Sequence, residues 1–200
     1  MQVDAQIANY LDLLEEWNKI HNLTAIRERS KMLTHHIADS LSILDLLPST
    51  GVVVDVGTGA GLPGIPLAIY RPDLKFYLID ARQKKINFLQ LVIESLELTN
   101  VSAQALRVES WRLAAPAQVI VSRAFSNLEK FASLTKHLAD KDTLFIAMKG
   151  KLANAHQEKL PAEFALTKIQ TLTVPNMDEE RCAVLFKKKG DLRGKNNGIC

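Results

Sequence analysis

Two hundred residues, 47% of them hydrophobic and 24% charged, suffice for one well-buried domain and are ordinary for a globular protein. No apolar run reaches the roughly 18 residues of a membrane-spanning helix, and the opening MQVDAQIANYLDLLEEW lacks the basic start and apolar run of a signal peptide, so a cytoplasmic protein without a membrane partner is expected. The net charge of +3 is local: residues 187–200 hold five of the 25 basic residues and one of the 22 acidic ones, leaving 20 basic against 21 acidic elsewhere, so a polyanionic partner must meet patches or this tail.

In chain order, Ile7, Leu11, Leu14 and Trp17 recur at helical spacing and predict an amphipathic helix over about 4–18. Met32, Leu33, Ile37, Leu41 and Leu44 predict a second over about 30–46, with Ser30 as N-cap and Pro48 beyond its end. After Gly51 short apolar runs (52–56, 74–79, 101–106, 117–121, 143–148) alternate with helical patterns near 63–70, 82–97, 127–139 and 151–160. That alternation predicts βαβ units and a parallel, doubly wound α/β sheet with helices on both faces. Two further runs, 165–174 and 182–187, are joined by a turn too short for a parallel crossover and should pair antiparallel. Cys182 lies in an apolar run and Cys200 ends the chain, and no disulfide is expected between them. The organisation expected is a helical cap over 1–47 belonging to the same domain, a core over 48–189, and a basic tail over 190–200 expected to be disordered.

The segment VVVDVGTGAGLPG, residues 52–64, is a strand running into a glycine-dense turn that lets backbone lie against a ligand. A phosphate-binding P-loop fails, because Ile65-Pro66 follows Gly64 where Lys-Ser or Lys-Thr is required. The dinucleotide pattern G-x-G-x-x-G is present at Gly59, Gly61 and Gly64. Against it stand Asp55, whose charge would repel a pyrophosphate, and Pro63 and Pro66, which each remove an N–H. A ligand with cationic character meets neither objection. S-adenosylmethionine carries a sulfonium and no phosphate; Gly57, Gly59 and Gly61 would admit its methionine portion near Asp55, and Asp80, at the end of the next strand, would accept its ribose hydroxyls. Past the third strand, Glu109 would accept the adenine amino group, with Val108 against the ring. Strand-end residues of this kind gather along one edge of the sheet. An NAD(P)-binding oxidoreductase and a catalytically silent cofactor- or RNA-binding protein are the alternatives.

DVGTGAGLPGIPLA, together with WNKIHNLTAIRE, HHIADSL, VSRAF and AMKG, closely resembles the bacterial small-subunit ribosomal RNA guanine-N7 methyltransferase family (RsmG, once the glucose-inhibited division protein B), from about residue 10 to about 187. The resemblance implies a class I S-adenosylmethionine-dependent methyltransferase fold and methylation of one guanine N7 in the decoding region of 16S ribosomal RNA. It implies cofactor contacts from Gly57, Leu62, Val108, Glu109 and Arg123. The N-terminal helical region is shorter than is usual in the family, and the tail after about residue 189 matches none of its motifs.

The chemistry fits. Guanine N7 has a free in-plane lone pair, so attack on a methyl group needs positioning rather than a general base. The Pro-Cys motif of cytosine-C5 enzymes and the Asn-Pro-Pro-Tyr motif of adenine-N6 enzymes are absent. N7 must stay free, so basic side chains should hold phosphates or O6. Arg123 after the fourth strand and Lys149 after the fifth are placed for this, with Arg181 in the terminal hairpin as a further substrate contact. Arg82, Lys84 and Lys85 could meet RNA phosphates. The 12 aromatic residues show no stacking platform. His35, His36 and Asp39 lack the further ligands of a metal site and are expected in a hydrogen-bonded helix across the pocket mouth. A monomer acting on ribosomal RNA within the small subunit is expected.

Overall fold

The computed structural model describes residues 3–123, 125, 127–151, 155 and 157–190. Helix α1 (Val3–His21) buries Ile7, Tyr10, Leu11, Leu14 and Asn18, one stripe at helical spacing. It packs on α4 (Gly64–Tyr70) and α5 (Gln83–Ser95), with the Trp17 and Phe88 rings 5.6 Å apart. The Tyr10 hydroxyl, fully buried, donates to the Ala60 carbonyl (2.8 Å) and so ties the cap to the glycine turn.

The second helical stretch differs from expectation. It begins with α2 (Arg29–Met32), widens into a π-helix over Leu33–Ala38, returns to α3 (Asp39–Leu41) and ends in a 3₁₀ turn at Leu44–Leu46. Ser30 does not cap it: Glu28 occupies that position and makes no side-chain cap bond. Hydroxyls compete for the helix carbonyls here, Thr34 donating to Lys31 O (3.1 Å) and Ser40 to His36 O. The wide turn also puts both His36 and Asp39 on the buried side.

Seven strands form one sheet in the order β3-β2-β1-β4-β5-β7-β6, comprising β1 (Val52–Val56), β2 (Lys75–Asp80), β3 (Val101–Ala105), β4 (Val119–Ser122), β5 (Leu144–Lys149), β6 (Phe164–Leu172) and β7 (Arg181–Lys188). The first five are parallel; β7 runs antiparallel beside β5, with β6 paired outside it. Val53–Val56 are buried throughout, as a central parallel strand covered on both faces requires. One face carries the cap, α4 and α5 over a core that includes Leu14, Ile65, Phe88 and Leu89; the other carries α6 (Leu128–Thr135) over Phe131, Phe145, Phe164 and Phe186. Of the helix expected over 151–160, residues 152–154 and 156 lie outside the described residues, Ala155 is helical, and 157–160 are turn and irregular chain that ends before Pro161; the tail expected over 190–200 falls, beyond Gly190, outside the described residues. No helix among the described residues is long and apolar enough to cross a membrane.

The strand order reverses between β1 and β4, where open α/β sheets leave a crevice at their carboxyl ends. Gly57, Asp80, Val108 and Glu109 lie at that edge. Ser122 closes the seam, its hydroxyl donating to Val56 O (2.7 Å).

Candidate functional site

Two cavities lie at this edge. The first, about 640 Å³, is lined by Gly57 beyond β1, Asp80 to Arg82 and Lys85 beyond β2, Leu106 to Glu109 beyond β3, and Phe125, Lys130 and Leu134 beyond β4. Gly57, Asp80, Val108 and Glu109 thus come together as expected. Asp80 is 8% exposed and half engaged: Oδ2 accepts from Gly59 N (3.1 Å), Oδ1 from Arg82 N (2.9 Å), and Lys85 Nζ stands 3.7 Å away. A carboxylate oxygen has two lone pairs, so both oxygens can take a second hydrogen from the cavity side. Val108 and Glu109 sit in a 3₁₀ turn, Val108 buried and Glu109 exposed. Arg82 and Lys85 face this cavity, and Lys84 lines neither.

The glycine turn is closed on itself. Gly57, Gly59 and Gly61 have φ of +73°, +63° and +96°, which side chains with a Cβ rarely adopt. The N–H groups of Gly57 and Thr58 donate to Ile79 O, those of Gly61 and Leu62 to Thr58 O, and that of Ile65 to Gly61 O. Gly59 N is taken by Asp80 and Gly64 N by Asp55. A phosphate held at such a turn relies on free N–H groups. With these spent internally, the turn is poorly equipped for a pyrophosphate, and the dinucleotide reading loses its anchor.

Five of the expected cofactor contacts, Asp55, Gly59, Gly61, Leu62 and Arg123, do not line the first cavity. Asp55 is 0% exposed, with Oδ2 accepting from Thr58 Oγ1 (2.7 Å) and Gly64 N (2.9 Å), so it braces the turn from beneath. Its Oδ1 has no partner among the described residues. Leu62 lies in the apolar core under the cap and lines neither cavity. Gly61 packs where a Cβ would meet Ile65 and Leu89, so its small size serves the turn's seat on α5.

Burial raises the Asp55 carboxyl from the usual 3.8 to about 6, against the opposing pull of the Thr58 and Gly64 hydrogen bonds. The folded state then holds this proton more tightly than the unfolded chain. Its contribution to stability is largest at low pH and falls as pH rises from about 4 to about 6. Asp55→Asn, which keeps an acceptor without the charge, is therefore expected to gain stability relative to the parent as pH rises from about 4 to about 7. Urea unfolding at the two pH values checks this; a difference independent of pH would show that the carboxyl titrates normally.

The second cavity, about 360 Å³, lies between the cap, the end of β5 and the terminal hairpin; its lining includes Ile26, His35, Asp39, Met148, Leu172 and the cations Arg123, Lys149 and Arg181. Arg123, assigned to the cofactor by resemblance, lines this cavity and not the first: its Nη1 donates to His35 O and Asp39 Oδ2, both at 2.9 Å. Arg181 Nε donates to Asp39 Oδ1 (3.1 Å). Lys149 is paired rather than a solvated strand-end cation, with Nζ 2.8 Å from Glu158 Oε1 and 3.2 Å from Phe125 O. His36 bonds Thr24 Oγ1 through Nε2 (2.9 Å), and burial and the charge of Arg123 lower it to about 4, which keeps it neutral at pH 7. Among the described residues no cluster of His, Cys, Asp and Glu is placed to hold a metal ion. The sequence reading missed Phe125 and Met148, although both lie beside strand ends it had marked, and Ile26 and Leu172, which carry no signal of their own.

Comparison with known proteins bears on the family and the fold. The family described as rRNA small subunit methyltransferase G (GidB) matches residues 3–185. The chain is 46% identical to Ribosomal RNA small subunit methyltransferase G of Methylobacillus flagellatus over 186 residues, covering 92% of this chain and 89% of that one. It is 41% identical to the protein of the same name from Nitrosomonas europaea, covering 92% and 86%. In fold it is similar to a SAM dependent methyltransferase from Aquifex aeolicus (TM-score 0.58, 17% identity, 80% of this chain and 94% of that one), which bears out the expected methyltransferase architecture. With the family description spanning nearly its whole length, the chain belongs to the rRNA small subunit methyltransferase G family.

Proposed function

We infer that this chain transfers a methyl group from S-adenosylmethionine to N7 of a guanine in 16S ribosomal RNA. The family and the relatives' names support the substrate class. Bound in the first cavity, the cofactor would supply an electrophilic methyl group on a sulfonium. Asp80 would hold the ribose hydroxyls, Val108 the adenine ring, and Glu109 the exocyclic amine, while Gly57 would let the chain lie close to the methionine portion. The target base would enter the second cavity, where Ile26, Met148 and Leu172 would replace its stacking and Arg181 and Lys149 would meet O6 or phosphate. We place the reaction in the cytoplasm, on RNA within the small subunit, with the protein a monomer.

One observation carries the choice of N7. Asp39, the carboxylate lining the second cavity, is engaged by two arginines, His36 is buried against Thr24, and His35 is held between Thr34 and Glu179. None of the three is offered as a general base, and N7, unlike a ring N–H or an amine, has no proton to lose. Labelled S-adenosylmethionine with unmodified small subunits tests the reading, the product mapped by mass spectrometry. One N7-methylguanine is expected. No transfer to subunits that a known family member methylates, or a methyl group on another atom, would overturn it.

A further inference from the structure

Asp39 sits where three distant parts of the chain meet. It belongs to the cap, Arg123 stands just past β4, and Arg181 opens β7. One oxygen of Asp39 takes each arginine, and the carboxylate itself is 3% exposed. The π-helical turn before it presents the His35 carbonyl to the same Arg123 nitrogen (2.9 Å); wide turns of this kind recur at functional sites.

Without that carboxylate each guanidinium keeps a backbone anchor, Arg123 on the His35 carbonyl and Arg181 Nη1 on the Glu180 carbonyl (2.9 Å), but neither anchor sets one arginine beside the other. Two guanidinium groups would face one small cavity with only mutual repulsion between them. A guanidinium carries five N–H donors in a fixed fork, so anchoring it through one nitrogen aims the rest.

Resting on the reading of the second cavity as the place of the target nucleotide, we propose that Asp39 is its positioning residue: it clamps Arg123 and Arg181 side by side and so sets how the substrate's acceptor atoms are received. Asp39 does not touch the reacting atoms. It acts through the arginines, and it requires cap and hairpin to be docked together before the cavity has its shape.

Asp39→Asn keeps size and one acceptor but removes the charge. At saturating S-adenosylmethionine, its KM for unmodified small subunits is expected to rise about tenfold or more, while affinity for S-adenosylhomocysteine in calorimetry stays within about threefold. Adding Asp39→Asn to Arg181→Met is expected to raise KM by clearly less than it does in the parent, because one of the two arms it holds is already gone while Arg123 is still released. An unaltered KM in Asp39→Asn, losses multiplying in the double variant, or equal losses of subunit and cofactor affinity would each overturn the proposal.

Should the parent chain itself fail to methylate subunits, the function falls and the clamp is judged by nuclear magnetic resonance alone. The Arg181 Nε–H, which donates to Asp39 Oδ1 in the parent, is then expected to be slow to exchange there and to broaden in Asp39→Asn, and equal exchange in the two proteins overturns the clamp. If Asp39→Asn does not fold, Arg181→Met carries the test: a raised subunit KM at unchanged cofactor affinity supports the clamp, and an unchanged KM overturns it.

Discussion

Asp80→Ala is expected to bind S-adenosylhomocysteine about 100-fold more weakly than the parent in calorimetry. Hydrogen bonds to a charged group contribute about 1.5–3 kcal/mol each, so losing both ribose contacts removes about 3 kcal/mol or more, and every 1.4 kcal/mol is about tenfold. The same carboxylate accepts from the backbone of Gly59 and Arg82 and lies within 3.7 Å of Lys85, so its loss also loosens the rim of the cavity. Binding within about threefold of the parent, in a variant with an unaltered unfolding midpoint, would show that the ribose lies elsewhere.

The second large effect falls on the fold. A methyl group added at Gly64 would overlap Leu78 Cδ2 and lie 2.8 Å from Asp55 Oδ2, the oxygen that already accepts from Gly64 N. Both neighbours are buried, one in the sheet and one in the brace that Asp55 of β1 gives the turn, so neither can swing away into solvent. Overpacking of this kind costs about 1–3 kcal/mol, and for a chain of this size each kcal/mol lowers the melting temperature by about 2–4 °C. Gly64→Ala is therefore expected to melt several degrees below the parent and to bind cofactor poorly as the turn distorts. A thermal scan that superimposes on the parent's would mean that α4 shifts freely away from β1.

The strands and their pairing were legible because their signal is local. Val52–Val54 reads apolar on both faces, and the short connection before Arg181 leaves no room for a parallel crossover. The site was legible in part, since Asp80, Val108 and Glu109 follow from strand ends and the rule that ligands gather there. What stayed hidden was direction. Asp55 and Arg123 both sit at or just past strand ends, yet one turns under the glycine turn and the other toward the cap. That choice is made by contacts with Gly64 and with Asp39, the latter 84 residues away from Arg123, and no periodicity encodes it. Nor does spacing distinguish a π-helix from an α-helix over the six residues Leu33–Ala38.

The buried bond from Tyr10 to Ala60 has a consequence for how the molecule comes apart. The cap supplies one wall of the core that encloses Phe88 and Ile65, and Tyr10 donates a hydrogen bond that the turn's backbone would otherwise leave unmet in the dry interior. Peeling the cap away would wet that wall and strand that carbonyl at once, so there is no inexpensive half-open state. Cap and sheet are thereby bound into one cooperative unit, which is expected to melt as a single calorimetric transition rather than as two.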